Sequence, residues 1–371
     1  MRHRIAVVGA GPAGLTFARV MHRHGHPVTV LERDPAPDAR PQGGTLDMHA
    51  GMGQVALAKA GLLEEFHALS RREGQAMRIL GEDGAVLRDW PAGPDDDRQP
   101  EIDRGLLRDL LLGPLDVRWG RGVAEVVPSA RDGALVRFAD GSEEPYDLVV
   151  GADGAWSRVR PAVSAAIPHY TGVTVVETTL DDVDERHPDL ARLVGDGSMS
   201  AYGADRVLTA QRNSGGRVMV YAQLRGPVDW HTGVDPADPE AVRSCLLAMF
   251  HGWDDGLLEL LRRGRAYVNR PIHTLPAAHT WTHTPGVTLL GDAAHLMPPL
   301  GVGANLAMLE GAELAEAILA RPGLDEVVRA YEELMWPRAA RWAEFAIAGL
   351  RRLVSGAAEA VALFDEFQPS A

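Results

Sequence analysis

A short apolar run, Arg4-Ile5-Ala6-Val7-Val8, passes directly into Gly9-Ala10-Gly11-Pro12-Ala13-Gly14. Beyond it Ala, Leu, Phe, Val and Met recur at helical spacing as far as His24-Gly25. An unbroken apolar run bounded by glycine predicts a buried strand, and recurrence every three or four residues predicts a helix. A second run, Val28-Thr29-Val30-Leu31, closes on Glu32. Two later runs share the form: Tyr146-Asp147-Leu148-Val149-Val150 ahead of Gly151-Ala152-Asp153-Gly154, and Val287-Thr288-Leu289-Leu290 ahead of Gly291-Asp292-Ala293-Ala294-His295. Repeated strand, glycine turn and helix units predict an α/β chain with a parallel sheet.

Between these units the pattern predicts a helix over Gln54 to Leu69 and a hairpin over Met77 to Trp90, turning at Glu82-Asp83-Gly84. Pro91 to Pro100 reads as a loop, and Asp103 as the N-cap of a helix with Leu106, Leu107, Leu110 and Leu111 on one face. Strands follow at Val117 to Trp119, Val123 to Val127 and Leu135 to Phe138, with turns at Arg131-Asp132-Gly133 and Asp140-Gly141. A helix with Ser157, Arg158 and Arg160 in its first turns is expected after Gly154.

From about Pro168 to Arg270 the chain turns rich in Val, Thr and Tyr. Strands are expected at Gly172 to Leu180, Arg206 to Arg212 and Arg217 to Leu224, the last two joined through Asn213-Ser214-Gly215-Gly216. Asp181 to Asp189 reads as an acidic loop and Pro239 to Arg263 as one or two helices. The expected organisation is therefore a discontinuous first domain (residues 1–167 and 271–323) and an inserted antiparallel-sheet domain (168–270). A helix from about Ala304 to Ala320 ends the first domain, and residues 324–371 add a C-terminal segment with helices at Leu324 to Leu334 and Arg338 to Leu363.

A length of 371 residues allows two domains and a sizeable core. The net charge of −14 speaks against a nucleic-acid partner, whose phosphates need a basic footprint. The single cysteine, Cys245, excludes an internal disulfide and a multi-cysteine metal site. That usage fits the cytoplasm, and we expect a monomer or weak dimer with no membrane span. The start, Met1-Arg2-His3-Arg4, has too short an apolar run after it for a signal peptide. His22, His24 and His26 fall where a helix ends, so their cations suit its dipole and no metal is expected there.

The glycine turn carries the chemistry. Gly9 permits a tight strand exit, Gly11 lets a pyrophosphate approach the backbone, and Gly14 lets helix and strand pack closely. Phosphate then meets the free N–H groups and dipole at the helix N-terminus. Glu32, about 20 residues on, is placed to accept ribose hydroxyls. Arg104 lies in the first turn of a helix, where the dipole does not favour a cation, so either an anion or solvent meets it.

Three glycine-acid turns separated by long intervals suggest one large dinucleotide. Gly9-Ala10-Gly11-Pro12-Ala13-Gly14, Gly151-Ala152-Asp153-Gly154 with Ser157 and Arg160, and Gly291-Asp292-Ala293-Ala294-His295 resemble the single-component flavoprotein hydroxylases. The likeness covers essentially the whole chain. It is nearest to the tetracycline-inactivating monooxygenases through Glu32-Arg33-Asp34, Gly43-Gly44-Thr45-Leu46-Asp47, Glu101-Ile102-Asp103-Arg104 and Gly291 through Pro299. It implies a Rossmann-like FAD-binding domain, an inserted substrate domain and a C-terminal helix.

The implied cofactors are FAD and NADPH. The implied reaction is NADPH- and O₂-dependent hydroxylation of a medium-sized aromatic or polyketide-like small molecule through a flavin C4a-hydroperoxide. By resemblance, Gly9, Gly11, Ala13 and Gly14 hold the pyrophosphate, Glu32 and Arg33 the adenosine end, and Arg104 the phosphate or ribityl region. Asp292 takes the pyrophosphate-ribityl region, Asp47 lies near the flavin, Arg40 meets the nicotinamide cofactor, and Asp153, Gly301, Gly303 and Asn305 complete the set. With no second GxGxxG, the nicotinamide cofactor is expected to bind transiently.

The loop Pro298 to Asn305 is one residue shorter than the family pattern, and Ser198 to Leu224 carries no recognisable tetracycline-binding set. A flavin-dependent halogenase is the first alternative, but its Trp-x-Trp-x-Ile-Pro string is absent. A non-redox FAD-binding isomerase or sensor is the second. A histidine following a strand-end Asp-Ala-Ala, as His295 does, is more often structural, so no catalytic acid or base is nominated. Glu177, in a strand expected to face the flavin, is a candidate for touching substrate, against the alternative of a solvated or sheet-edge carboxylate.

Overall fold

β1 (Ile5–Val8), buried at every residue, runs into the glycine turn and α1 (Pro12–Arg23), which Pro12 opens. The computed structural model describes residues 3–93, 95–129 and 133–366. β2 (Thr29–Leu31) and β3 (Thr45–Asp47) follow. The helix expected over 54–69 is two, α2 (Gly53–Ala60) and α3 (Leu63–Leu69), because Gly61 adopts φ +73° and ends the first in a left-handed cap.

The hairpin forms as β4 (Met77–Gly81) and β5 (Val86–Trp90). β6 (Glu101–Asp103) leads into α4 (Arg104–Leu112). Asp103 holds the N-cap position of α4, yet its carboxylate does not cap the helix; it accepts the Ser214 backbone N–H at 3.2 and 3.3 Å. β7 (Val117–Arg118), β8 (Val123–Pro128), β9 (Ala134–Phe138), β10 (Glu143–Tyr146) and β11 (Leu148–Gly151) come next. Of the turn expected at Arg131-Asp132-Gly133, the first two residues lie outside the described residues.

No α-helix follows Gly154; one 3-10 turn, Arg160–Ala162, stands there instead. Asp153 and the Ser157 hydroxyl take up the backbone N–H groups of Arg158, Val159 and Arg160, and Pro161 adds no donor of its own.

The second half comprises β12 (His169–Leu180), α5 (Val183–Arg186), α6 (Pro188–Val194), β13 (Ser198–Gly203), β14 (Arg206–Arg212) and β15 (Val218–Arg225). α7 (Pro239–Met249), α8 (Asp255–Arg262), β16 (Val268–Thr274) and β17 (Val287–Leu289) follow. α9 (Asp292–His295), α10 (Gly303–Ala320), α11 (Leu324–Leu353) and α12 (Ala357–Asp365) close the chain.

The acidic stretch 181–189 is thus largely helical, with Asp184 and Glu185 at the N-terminal end of α5, where its dipole favours carboxylates. Nor does Pro337 divide the C-terminal helix. A proline inside a helix costs about 3 kcal/mol, and the burial of Met335, Ala339, Ala343 and Ala346 on the flanking turns offsets it.

Four sheets result. The first, β17-β11-β1-β2-β7, is parallel throughout, with Ile5 to Val8 in register with Leu148 to Gly151. Neighbouring parallel strands end at one edge, so the turns after β1, β11 and β17 emerge side by side. β10-β9-β8 is a small antiparallel sheet and β3-β6 a two-stranded one.

The seven-stranded sheet, β16-β12-β15-β14-β13-β4-β5, is antiparallel except where β4 joins β13. It thereby brings the distant 77–90 hairpin beside β13. One face is apolar and packs against α7 and α8 through Val176, Leu208, Val220, Leu246 and Leu257. Part of the other face, around Val173, Tyr202 and Val207, is covered by the end of α11 and by α12. Among the described residues no helix is long and apolar enough to cross a membrane.

Candidate functional site

The three glycine turns meet. A Cβ on Gly9 would stand 2.4 Å from the Ala152 carbonyl oxygen, and one on Gly14 would stand 2.2 Å from the Gly9 carbonyl oxygen, so both positions require glycine for packing. Gly11 differs: a Cβ there would meet nothing within 4 Å, which leaves its backbone approachable from the cleft. Gly291 sits against Ala13 and Ala307. The buried Arg160 guanidinium donates to Ala155 at 2.7 Å and to Ala293 at 3.1 Å, which fastens the second turn to the third.

Glu32 is buried at the end of β2, and its carboxylate reaches back to the first turn. One oxygen accepts the Ala10 N–H at 2.8 Å and the other the Asp34 N–H at 3.0 Å. Each oxygen retains a lone pair for a further donor such as a ribose hydroxyl. The first helical bond of α1 is Leu15 N–H to Gly11 O, so the preceding N–H groups have no partner within the helix and present positive charge to an anion.

Opposite this turn, Asp292 faces the cleft and is exposed to it. Protein packed around the cleft raises its carboxyl above the ordinary range by desolvation, while His295, Arg104 and Arg160 act in the other direction. Arg104, at the start of α4, is exposed and its side chain has no hydrogen bond or ion pair among the described residues. An unpartnered guanidinium, an acid and an open helix N-terminus around one cleft fit a dinucleotide with two phosphates.

The remaining expected residues divide. Arg33 is exposed and unpaired among the described residues, whereas Arg40 bonds to Asp34 at 2.8 Å. Asp153 spends its carboxylate on Ser157 at 2.5 Å and on two backbone N–H groups, shaping its own loop; burial raises its pKa against those bonds. Asn305 is fully buried and fully engaged with protein. Its oxygen accepts from His49 N and Gly53 N at 2.8 and 3.1 Å, and its amide donates to Asp47 O and Gly301 O at 2.7 and 3.0 Å. It therefore locks the loop after β3 to the glycine loop. Gly301 has φ +79° with Asp47 beside it, and nothing crowds Gly303 at the first turn of α10.

His295 lies behind the site, its Nε2 at 2.6 Å from Glu310 Oε2, and both residues are buried. Burial disfavours the imidazolium, but the Glu310 carboxylate outweighs it and raises the His295 pKa. The same Glu310 oxygen accepts the Gly291 N–H at 3.1 Å, so the pair supports the third turn.

The second wall is the uncovered face of the seven-stranded sheet. Cross-strand register sets Glu177 opposite Tyr221, Tyr221 opposite Thr209, and Thr209 opposite Ser200, a row of polar side chains over four strands. Gly44 abuts this face: a Cβ there would stand 2.2 Å from Tyr221 Oη. Burial pushes the Tyr221 phenol up to about 12, with Glu177 adding to the rise, so it is a donor at neutral pH. Glu101 lies between the walls, buried, accepting from Thr45 Oγ1 at 2.7 Å. Burial and the neighbouring Asp47 push its pKa up to about 8.

Reading the residues singly does not reveal Glu101, Glu310 or Tyr221. Signals existed for two of them: Glu310 is an acid amid the Ala, Leu and Met of α10, and Glu101 shares a strand face with Asp103 by simple alternation.

Comparison with known proteins agrees with this geometry. The family described as "FAD binding domain" matches residues 2–346. Monooxygenase penA of Penicillium thymicola is 34% identical, with 91% of this chain and 92% of that protein covered. A single-substitution form of HpxO from Klebsiella pneumoniae, solved with FAD, superposes with a TM-score of 0.81 at 21% identity, covering 98% and 93% of the two chains. The tetracycline destructase Tet(51) gives 0.71 at 20% identity, covering 95% and 92%, a likeness of fold. With the converged glycine turns, these matches make the chain a member of the FAD binding domain family and an FAD-dependent monooxygenase of the aromatic-hydroxylase type.

Proposed function

We propose that this monooxygenase uses NADPH and O₂ to hydroxylate a medium-sized, aromatic or polyketide-like small molecule. The observation that carries the reading is the convergence of the turns at Gly11, Asp153 and Asp292 on one edge, with Arg104 within electrostatic reach of both Asp292 and Tyr221 of the seven-stranded sheet.

In this reading the first turn of α1 holds the pyrophosphate, Glu32 the adenosine ribose, and Arg104 and Asp292 the middle of FAD. The loops around Asp47 and Gly301 border the ring. Bound FAD supplies hydride acceptance and oxygen activation, chemistry that belongs to the cofactor. The chain's own contribution is to orient both reactants and exclude water between the sheet face, the Gly43-Gly44 loop and Leu300. Arg40, exposed at the mouth, is positioned to meet a phosphate of NADPH, its pairing with Asp34 being a weak surface contact that a phosphate can displace.

The test is oxygen-18 labelling with purified FAD-loaded protein and a panel of phenolic and polyketide compounds. Label from O₂ in the product, with NADPH oxidation stimulated by the same compound, is the expected result. A product without label sinks the proposal.

A further inference from the structure

The uncovered sheet face has a definite charge balance. Among the described residues three strand arginines lie on this face, Arg270, Arg225 and Arg88, and each is already paired with a carboxylate, Glu177, Asp205 and Asp365 respectively. Across the cleft Arg104 is free of protein partners, but the dinucleotide's phosphates claim it under the function proposed above. What the face offers a second reactant is therefore uncharged or acidic. Tyr221 Oη has no hydrogen bond among the described residues and is a donor; the Glu177 carboxylate directly opposite is an acceptor. Thr209 and Ser200 continue the row, bonded to each other at 2.8 Å.

We propose that Glu177 and Tyr221 select an uncharged ring compound bearing an acceptor beside a donor, a phenolic amide or lactam, and reject aromatic carboxylates. The proposal rests on the oxygenase reading of the cleft and narrows it.

The physical reason is desolvation. A carboxylate moved from water into this half-buried wall would face the Glu177 charge with no unpaired arginine among the described residues of the sheet face, and a buried unpaired charge is strongly disfavoured. A neutral amide loses much less on entry and recovers it by accepting from Tyr221 and donating to Glu177. Arg270 cannot serve both anions at once, so Glu177 acts as the gate on charge.

Salicylamide and salicylate are matched probes, nearly identical in shape and different in charge. Their binding to the FAD-loaded protein is measured by calorimetry at mildly acid pH, where the amide's phenol stays neutral. Salicylamide should bind at least about tenfold more tightly. Glu177→Gln frees Arg270 and should raise salicylate affinity roughly tenfold, a gain that misfolding cannot produce. Tyr221→Phe should weaken salicylamide by about the same factor with FAD content unchanged. Equal or tighter salicylate binding, binding of neither probe, or no gain in Glu177→Gln would overturn the assignment. None of these measurements requires turnover, so they stand apart from the oxygen-18 result on which the oxygenase reading depends.

Discussion

Asp47 and Glu101 are directly opposed across the β3–β6 pair, two carboxylates on one face of a two-stranded sheet. Like charges in that relation repel, and burial falls on Glu101, whose pKa is pushed up to about 8. Glu101 therefore carries a proton in the folded protein at neutral pH, while the unfolded chain releases it near 4.5. Folded protein binds the extra proton between those values, so stability falls as pH rises from about 4.5 to about 8, by up to about 1.4 kcal/mol per pH unit. Melting temperatures measured across that window should decline in the wild type and flatten in Glu101→Gln. A slope unchanged by the substitution would show that another group is responsible.

Gly11 and Gly14 should separate folding from cofactor retention. Gly14→Ala drives a methyl into the Gly9 carbonyl oxygen and should cost about 1–3 kcal/mol even in FAD-free protein. Gly11→Ala meets no protein atom within 4 Å, so the FAD-free variant should melt within a degree or two of wild type yet purify with much less flavin. Flavin absorbance together with melting curves tests both; normal flavin content in Gly11→Ala would place the pyrophosphate elsewhere.

Arg40→Ala removes one exposed ion pair with Asp34, and surface pairs contribute at most about 1 kcal/mol. Stability and bound FAD should stay near wild type while reduction by NADPH needs roughly tenfold more NADPH. Stopped-flow reduction at varied NADPH decides this, and an unchanged half-saturation would remove Arg40 from that role.

Asn305→Ala strips both acceptor and donor from a buried junction and leaves the His49 and Gly53 N–H groups without partners. A loss of about 2–4 kcal/mol is expected from such orphaned buried groups. Urea unfolding of the FAD-free protein measures it, and a loss under about 0.5 kcal/mol would mean that water replaces the amide.

What could be read in advance was local. The strand, turn and helix at Ile5 to Arg23 lie within one stretch of chain, and the need for glycine at positions 9 and 14 follows from the close packing that the turn demands. Non-local pairing was illegible. Nothing in Met77 to Gly81 announces a parallel partner at Ser198 to Tyr202, and only the β3–β6 register reveals that Asp47 and Glu101 confront each other. Side-chain allegiance was equally hidden: Asp103 looks like a helix cap by position and type, but the Ser214 backbone competes for it from the turn between β14 and β15. Pro337 misled for the opposite reason, since its local penalty is plain while the burial that outweighs it is tertiary.

α11, 30 residues and about 45 Å long, begins against α10 and ends against the sheet. Near its far end a methyl at Gly349 would come within 2.5 Å of the Leu300 Cδ1 atom, one residue before Gly301. The tip of the ring-bordering loop thus leans on a helix position well outside the cleft. Enlarging residue 349 would displace Leu300 and with it the loop that, under the proposed function, borders the reactants, which makes this remote glycine a natural dial for tuning which molecules are admitted.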